Sequence, residues 1–384
     1  MASIGIIGGG QLAAMLVQAT TRADIEAGSQ HLVYVLDPNP GCPAVLVGGI
    51  HVHGDPATGE GYADLASKSD ILTIDLENVS VSQLQSLADQ GIQIIPDPKL
   101  LLRVTNKLAQ KQWLKELGIP TAAFVPHDGQ SEITDDSFGF PVVQKAATGG
   151  YDGRGVAVLH SAADNDTRLP VPGYLEEYIE RKMELSVMVA SDGKGDVRAY
   201  EPVEMVFAKK GNVLDYLVAP ARIDNNLREQ AQALATSTIE AMNGCGIFGI
   251  EMFLTENDEL LINELSPRTH NSGHYTTEAC VTSQFTQQLH ILDGQPLGAT
   301  EQLTPAVMFN LLGMAGFSGE TVVEQAAELA DDSDVAIHLY GKTECFEGRK
   351  MGHVTVTAET ADAALCKADR IRKLIQVRGA QQID

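Results

Sequence analysis

The first hundred residues alternate short apolar runs with helical patterns, and this alternation constrains the fold more than any other feature of the chain. Strands are predicted for SIGIIG, LVYVLD, ILTIDLE and IQIIP, and helices for residues 11–28, 60–69 and 80–90. Strands that alternate with helices are typical of a parallel, doubly wound sheet with helices on both faces. We therefore predict an α/β domain over residues 1–98.

A glycine turn joins the first predicted strand to the first predicted helix. In GIIGGGQLAAM, residues 5–15, Gly8, Gly10 and Ala13 fit the G-x-G-x-x-G/A fingerprint of dinucleotide-binding domains. Asp37 lies about where such domains place an acid for the ribose. The turn raises the hypothesis of an NAD-dependent oxidoreductase.

A second glycine-rich segment, KAATGGYDGRG at 145–155, is the strongest local signal in the sequence. Four of its residues are glycines, and it directly follows a predicted strand that carries Lys145. Glycines let backbone amides approach an anion closely and point at phosphate oxygens. The spacing is not that of a Walker A loop. We predict that this segment binds the phosphates of a nucleotide.

Two carboxylates interrupt apolar strands, Glu251 in FGIEMFL and Glu264 in LLINELSPR. The intervening TENDE predicts a hairpin turn, so the two strands should be antiparallel neighbours. A six-residue loop would place Glu251 opposite Glu264, whereas a five-residue loop would place it opposite Asn263. Two acids at close range repel unless a cation lies between them. Oxygen ligands of this kind suit Mg²⁺.

Three further polar segments are candidates for ligand contacts. Glu176, Glu177 and Glu184 lie at predicted strand ends in YLEEYIERKMEL, where carboxylates suit the hydroxyls of a ribose. The loop SPRTHNSGHYTTEAC directly follows the strand of the second metal acid and is placed to receive a second substrate. GRKMGH brings Arg349 and Lys350 together in an otherwise acidic chain, which suits a substrate phosphate.

Composition excludes several classes of partner. The 27 lysines and arginines against 51 aspartates and glutamates give a formal net charge of −24, whereas nucleic-acid binding needs a basic patch. No run of about 18 apolar residues appears, so we expect no membrane span. The five scattered cysteines form no C-x-x-C pair and argue against disulfides or a thiolate zinc site. We expect a cytoplasmic protein.

Together these segments resemble the ATP-grasp enzymes, and most closely the N5-carboxyaminoimidazole ribonucleotide synthase family. GGGQL, LEN, GGYDGRG, HLYGK and GRKMGH occur in the family's order, and NELSPRTHNSGHYTTEACVTSQF is its most specific segment. The resemblance implies a Rossmann-like N-terminal domain over 1–98 and an ATP-grasp domain over 99–300 with a mobile lid at about 122–183. It also implies a small strand-rich C-terminal domain over 301–384.

The resemblance also implies a reaction and its ligands. Family members use ATP and Mg²⁺ to phosphorylate bicarbonate in purine synthesis. The carboxyphosphate, or CO2 released from it, is captured by the exocyclic amine of 5-aminoimidazole ribonucleotide. By resemblance, Glu251 and Glu264 bind two Mg²⁺ ions, and the chain forms a homodimer. The residues implied to contact ATP are Lys107, Lys145, Gly150, Tyr151, Asp152, Gly153, Arg154, Gly155, Val156, Glu176, Glu177, Tyr178, Ile179, Glu184, Phe207, Asn263 and Glu264.

Other residues are implied to serve the second half of the reaction. Arg268 is expected to hold bicarbonate and the transferring phosphoryl group, and Lys350 and Asp152 complete the implied catalytic set. The first glycine turn is then expected to face the aminoimidazole ribonucleotide and not NAD. The residues implied to bind this substrate are Gly10, Gln11, Leu12, Glu77, Tyr151, Arg154, His270, Asn271, Lys342, Arg349 and Lys350.

Three alternatives remain at the level of sequence. The first is another ATP-grasp carboxylase or formyltransferase acting on a different purine intermediate or on biotin, against which HNSGHYT and RKMGH weigh. The NAD-dependent oxidoreductase leaves the second glycine segment and the paired acids unexplained. A catalytically silent binding protein would be favoured by loss of Lys145, Glu251 or Glu264, and all three are present.

Overall fold

The computed structural model describes residues 3–134, 136–149, 155–208, 214–329 and 332–383. Its first elements are β1 (Ser3–Ile7), α1 (Gln11–Ala27), β2 (Leu32–Asp37), α2 (Pro43–Leu46), β3 (Ile50–His53), α3 (Tyr62–Lys68), β4 (Ile71–Ile74), α4 (Val81–Asp89) and β5 (Gln93–Ile94). The strands form a parallel sheet in the order β3-β2-β1-β4-β5. The predicted doubly wound sheet is confirmed.

Alternate side chains of these parallel strands enter two separate cores. Ile4 and Ile6 of β1 pack with the apolar side of α1, whereas Ile7 packs on the opposite face with α3 and α4. Both faces are covered, which explains why the strands read as continuous apolar runs. The carboxyl ends of β1, β2 and β4 meet at one edge, where Gly8, Asp37 and Asp75 lie.

The sequence predicts a single basic helix over 100–117, and this is wrong in one respect, because the structure has two helices there. They are α5 (Pro98–Val104) and α6 (Lys107–Glu116). Asn106 has extended backbone angles, and its side chain accepts a hydrogen bond from the amide of Ala109. An asparagine that caps a new helix competes with continuation of the old one. The sequence also predicts core packing for Trp113, and this side chain packs partly buried against the central core.

A small antiparallel sheet follows, and its strands lie within the segment predicted as a lid, about 122–183. Its strands are β6 (Phe124–His127), β7 (Val142–Ala146), β8 (Val156–Leu159) and β9 (Gly173–Glu177), in the order β6-β9-β7-β8. Ile133, Val142, Leu159 and Leu175 form its buried core. Lys145 therefore lies on a strand immediately before the second glycine-rich segment, as predicted.

The remaining elements build one large antiparallel sheet and a smaller one. They are β10 (Arg181–Asp192), β11 (Val197–Ala199), β12 (Val203–Phe207), β13 (Leu214–Ala219), α7 (Asn225–Ala241), β14 (Cys245–Thr255), β15 (Leu260–Ser266), α8 (Thr276–Ala279), α9 (Gln284–Leu292), β16 (Ala306–Leu312), β17 (Phe317–Gln325), β18 (Val335–Leu339), β19 (Glu344–Phe346), β20 (Lys350–Thr357), α10 (Ala361–Ile371) and β21 (Ile375–Gln382). The large sheet runs β15-β14-β10-β12-β13-β16-β20-β18, with β11 paired to β10. β19-β17-β21 form the smaller sheet.

The large sheet continues without a break from the central part of the chain into the C-terminal part. β13 pairs with β16 from Tyr216–Phe309 to Ala219–Ala306. The strand-rich character expected of the C-terminal part is present. The sequence also predicts a helix over 361–375, but α10 ends at Ile371 and β21 follows it. Within the described ranges, no helix is long and apolar enough to cross a membrane.

Candidate active site

A cleft of about 1340 Å³ lies where the three parts of the chain meet. The parallel sheet, the small sheet and the β14–β15 hairpin all contribute lining residues. The structure brings most of the predicted site residues to this cleft: Gly10, Gln11, Leu12, Glu77, Lys107, Lys145, Val156, Glu176, Glu177, Tyr178, Ile179, Glu184, Phe207, Glu251, Asn263, Glu264, Arg268, His270, Asn271 and Lys350.

The other predicted site residues fall into two groups. Gly150, Tyr151, Asp152, Gly153 and Arg154 fall outside the described residues, so their roles stay predictions. On either side of them, Gly149 and Gly155 adopt positive φ angles of 77° and 84°, which side-chain-bearing residues rarely adopt. Gly155, Lys342 and Arg349 do not line the cleft.

The first glycine turn presents its amide donors to carboxylates of the chain itself. Asp75 follows β4 and accepts hydrogen bonds from the amides of Gly10 (2.7 Å) and Ala13 (2.8 Å). Asp37 accepts one from the amide of Gly9 at 3.0 Å. A dinucleotide pyrophosphate would need these donors at the N-terminus of α1. The geometry therefore disfavours the NAD hypothesis, and it places Gln11 and Leu12 at the cleft.

The Asp75 contacts lead to a stability prediction. Asn at this position can accept only one of the two hydrogen bonds, and its amide group would face the second N–H. We expect Asp75→Asn to lower the free energy of unfolding by about 1–3 kcal/mol, measured by urea denaturation. The exposed Asp89→Asn on α4 serves as control and should change it by less than about 0.5 kcal/mol. An Asp75→Asn protein as stable as wild type would contradict the assigned capping role.

The two predicted metal acids face each other across the β14–β15 hairpin. Near the turn, Leu254 pairs with Leu260, which is the register of the five-residue loop. An irregularity between Glu251 and Met252 then shifts the register by one residue, so Glu251 pairs with Glu264. The predicted opposition is present, but a β-bulge and not the loop length produces it.

The electrostatic environments of these two acids differ. Burial, with Glu264 and Glu184 nearby, raises the pKa of Glu251 to about 8. Burial also opposes ionisation of Glu264, but the ammonium of Lys107, 2.5 Å from its Oε2, holds the pKa of that carboxyl below its usual value. Without a cation the pair therefore holds one ionised carboxylate and one protonated one. Two carboxylates that share one site repel each other in this way, and a cation between them would offset the repulsion.

Lys107 and Lys145, both predicted from the sequence, line one side of the cleft, and a third lysine that was not predicted is buried next to Lys145. Lys145 donates to Asn263 Oδ1 at 2.7 Å and lies 2.5 Å from Glu176 Oε2. The third, Lys111, lies 2.5 Å from the other oxygen of the same carboxylate. Lys111 follows Lys107 by four residues on α6, and this spacing, which places both side chains on one face of a helix, could have identified it from the sequence.

The acids predicted to meet adenine and ribose occupy distinct positions. Glu176 is buried, and its carboxylate is occupied by the two lysines, whereas Glu177 is exposed at the end of β9. Glu184 lies four residues into β10, not at its start, and pairs with Arg181 at 2.8 Å. Phe207 ends β12 and lines the cleft.

The loop after β15 carries Arg268 and His270 into the cleft beside the paired acids. Arg268 lies 2.8 Å from Glu77, and His270 Nε2 lies 3.6 Å from Glu251 Oε1. Gln284 of α9 holds this loop, because it bonds both the amide and the carbonyl of His270. Burial and the charge of Arg268 lower the pKa of His270 to about 4, so its imidazole is neutral at pH 7.

The C-terminal strands complete the cleft with Lys350 and Tyr340. Lys342 donates to the carbonyl of Lys350 at 2.8 Å, and Arg349 donates to the carbonyl of Glu344 at 2.7 Å. Of the three cations predicted to hold a substrate phosphate, the structure brings Lys350 to the cleft lining. Tyr340 was not predicted from the sequence.

Known proteins match the chain over nearly its whole length. Three family models match: the ribonucleotide synthetase preATP-grasp domain at residues 1–105, the ATP-grasp domain at 112–285 and the phosphoribosylaminoimidazole carboxylase C-terminal domain at 306–367. N5-carboxyaminoimidazole ribonucleotide synthase of Synechococcus elongatus is 37% identical over 370 residues, covering 94% of this chain and 90% of the relative. The chain belongs to the N5-carboxyaminoimidazole ribonucleotide synthase family. It is therefore an ATP-grasp ligase.

Solved structures of the same family confirm the fold. The N5-carboxyaminoimidazole ribonucleotide synthetase of Thermotoga maritima is 41% identical with a TM-score of 0.88, covering 99% of this chain and 100% of that one. The enzyme of Aspergillus clavatus, in complex with ADP and 5-aminoimidazole ribonucleotide, is 32% identical with a TM-score of 0.85, covering 97% and 98%. The resemblance to this synthase family drawn from the sequence motifs is confirmed.

Proposed function

We propose that the protein carboxylates the exocyclic amine of 5-aminoimidazole ribonucleotide with bicarbonate and ATP, which yields N5-carboxyaminoimidazole ribonucleotide, ADP and phosphate in purine synthesis. The observation that carries this proposal is the meeting of three features in one cleft. These are the lysines of the nucleotide side, the opposed acids Glu251 and Glu264, and a substrate side made by the first glycine turn and Lys350.

On the nucleotide side, Lys107 and Lys145 contact the phosphates of ATP. Mg²⁺ fits the opposed carboxylates, because Glu251 ionises readily only when a cation offsets the charge of Glu264. In the described part of the chain no three His, Cys, Asp or Glu side chains converge on one metal position. Glu251 and Glu264 would hold Mg²⁺ together with phosphate oxygens and water, as is common for this ion. Two ions held there would offset charge that develops on the phosphates.

On the acceptor side, the guanidinium of Arg268 orients bicarbonate through its fork of donors. A bicarbonate oxygen attacks the γ-phosphorus and ADP leaves. The amine nitrogen then attacks the carboxyl carbon of carboxyphosphate, or of CO2 released from it, and phosphate leaves while the nitrogen loses a proton. The neutral His270, with Asn271, orients the aminoimidazole without adding charge, and Lys350 binds the ribonucleotide phosphate.

Phosphate release from ATP tests this function directly. We expect release with Mg²⁺ and bicarbonate to be strongly stimulated by 5-aminoimidazole ribonucleotide, but not by glycinamide ribonucleotide or biotin. Equal rates with and without the aminoimidazole would leave an ATP-grasp ligase with a different acceptor. Calorimetry should also show binding of ATP with Mg²⁺ and none of NAD, which separates the enzyme classes.

The raised pKa of Glu251 predicts that Mg²⁺ binding releases a proton. At pH 7 a carboxyl with a pKa of about 8 is mostly protonated, and a divalent cation favours its ionised form. With ADP present, we expect Mg²⁺ to displace about one proton at pH 7 and close to none at pH 9. Calorimetry in buffers of different ionisation enthalpy measures this number. Glu251→Gln should release none, and a pH-independent count in wild type would contradict the assignment.

Two further proposals concern assembly and location. Apolar side chains are exposed in both terminal parts of the chain: Ile25, Leu46 and Ile50 in the N-terminal part, and Leu339 and Phe346 in the C-terminal part. The two parts come close to each other where Gly341 approaches Leu46. These groups support a homodimer formed through both regions, which sedimentation velocity tests as the mass of two chains.

A cytoplasmic location is proposed from the reaction and would be checked by fractionation of cells.

A further inference from the structure

Lys111 is a buried charged residue that the mechanism above does not use. Its side chain is 1% exposed, and its ammonium lies 2.5 Å from Glu176 Oε1. It also donates to the hydroxyl of Thr121. Burial lowers the pKa of Lys111 to about 8, although the charge of Glu176 works against this effect. A lysine is rarely this buried unless its charge is paired.

The partner of Lys111 is shared with the lysine that faces the nucleotide. Glu176 is also buried, and its second oxygen lies 2.5 Å from the ammonium of Lys145. Burial alone would raise the pKa of Glu176, but Lys145 and Lys111 together hold it below its usual value. The three side chains therefore form a trio of two cations and one anion. The net charge of the trio is one positive unit.

The positions of Lys111 and Lys145 determine where the net positive charge of the trio can act. Lys111 belongs to α6 and does not line the cleft, whereas Lys145 does and also reaches Asn263 of β15 at 2.7 Å. If Lys145 were the sole partner of Glu176, the pair would be neutral, and the carboxylate of Glu176 would offset the whole charge of the Lys145 ammonium. Two lysines on one carboxylate leave attraction for a third, anionic group at the open side of the trio.

We propose that Lys111 is a positioning residue that balances the charge of Glu176, so that the charge of Lys145 remains available to a phosphate of the nucleotide. The proposal deepens the proposed function and rests on ATP binding in this cleft. It assigns to Lys111 an effect on phosphate recognition and none on recognition of the base or the sugar.

The test compares nucleotides that differ in their phosphates. Lys111→Met keeps the length of the side chain and removes its charge. We expect ADP and ATP to bind about tenfold to a hundredfold more weakly to this variant, because one unit of positive charge is lost near the phosphates. Adenosine should bind within about twofold of wild type, because it carries no phosphate. Lys111→Arg should retain most of the ADP affinity. Lys115→Met, which is exposed one turn further along α6, should leave every affinity unchanged.

A double variant separates charge balance from simple packing. Lys111→Met combined with Glu176→Gln restores the net charge of the trio, so ADP affinity should recover most of the loss caused by Lys111→Met alone. A double variant as weak as the single one, or equal losses for adenosine and ADP, would overturn the proposal. Unchanged ADP binding in Lys111→Met would also overturn it. If wild type itself binds neither ATP nor ADP, the proposed function fails instead. Thermal unfolding of each variant confirms that the compared proteins are folded.

Discussion

Glu264→Ala is expected to lower ATP turnover by about a thousandfold or more, since loss of one of the two carboxylates proposed to hold Mg²⁺ removes several kcal/mol of stabilisation from developing phosphate charge. Glu264 pairs with Glu251 across the hairpin and with Lys107 at 2.5 Å. Its removal leaves a single carboxylate at the metal position and an ammonium without its partner. The side chain is partly exposed to the cleft, so the fold should remain intact. Phosphate release and thermal unfolding, measured on the same preparation, check both parts of the prediction.

Glu256→Ala provides the matched control, because Glu256 is exposed in the turn of the same hairpin. It removes one negative charge from the same supersecondary element without touching the cleft lining. We expect its ATP turnover and unfolding temperature to equal those of wild type. Full ATPase activity in Glu264→Ala would show that Glu264 does not hold Mg²⁺.

Arg268→Ala is expected to reduce bicarbonate-dependent phosphate release by about a hundredfold to a thousandfold, the usual effect of losing a donor aimed at a developing negative charge. The guanidinium lies in the cleft, 2.8 Å from Glu77, on the loop that follows β15. Because Lys107 and Lys145 remain, binding of ADP should stay close to wild type. Steady-state phosphate release and calorimetric titration with ADP separate the two effects.

Arg228→Ala is the control for loss of an arginine–glutamate pair. Arg228 lies 3.2 Å from Glu201, is similarly half-buried and does not line the cleft. It should leave turnover unchanged. If Arg268→Ala weakens ADP binding as much as it slows turnover, Arg268 serves the nucleotide and not bicarbonate.

The β14–β15 hairpin shows what the sequence could and could not predict. Apolar strands interrupted by acids, with polar residues between them, were enough to predict the antiparallel hairpin. The register was not predictable, because the turn alone would have opposed Glu251 to Asn263. Asn263, which lies at the bulge, accepts a hydrogen bond from Lys145, a residue of a different sheet. No local pattern in 247–266 encodes that contact.

Asp75 and Lys111 were missed for a related reason. Each acts through a partner far along the chain: Asp75 through Gly10 and Ala13, and Lys111 through Glu176. The spacing of apolar residues and the composition of a segment indicate which residues form strands and helices. They do not indicate which strand ends lie side by side. The glycine fingerprint likewise predicts a tight turn. It does not predict that Asp75, which follows a neighbouring strand, accepts hydrogen bonds from the amides of this turn.

The pairing of β13 with β16 also limits how this protein can be recombined. A cut near residue 300 would look like a natural joint from the sequence, yet it would separate two hydrogen-bonded strands. Each fragment would then carry an unprotected strand edge able to pair with another chain. A chimera that exchanges the C-terminal part would need a donor whose first strand restores the same edge. Relatives that carry extra segments are thus expected to hold them outside this strand pair, and fusion designs should do the same.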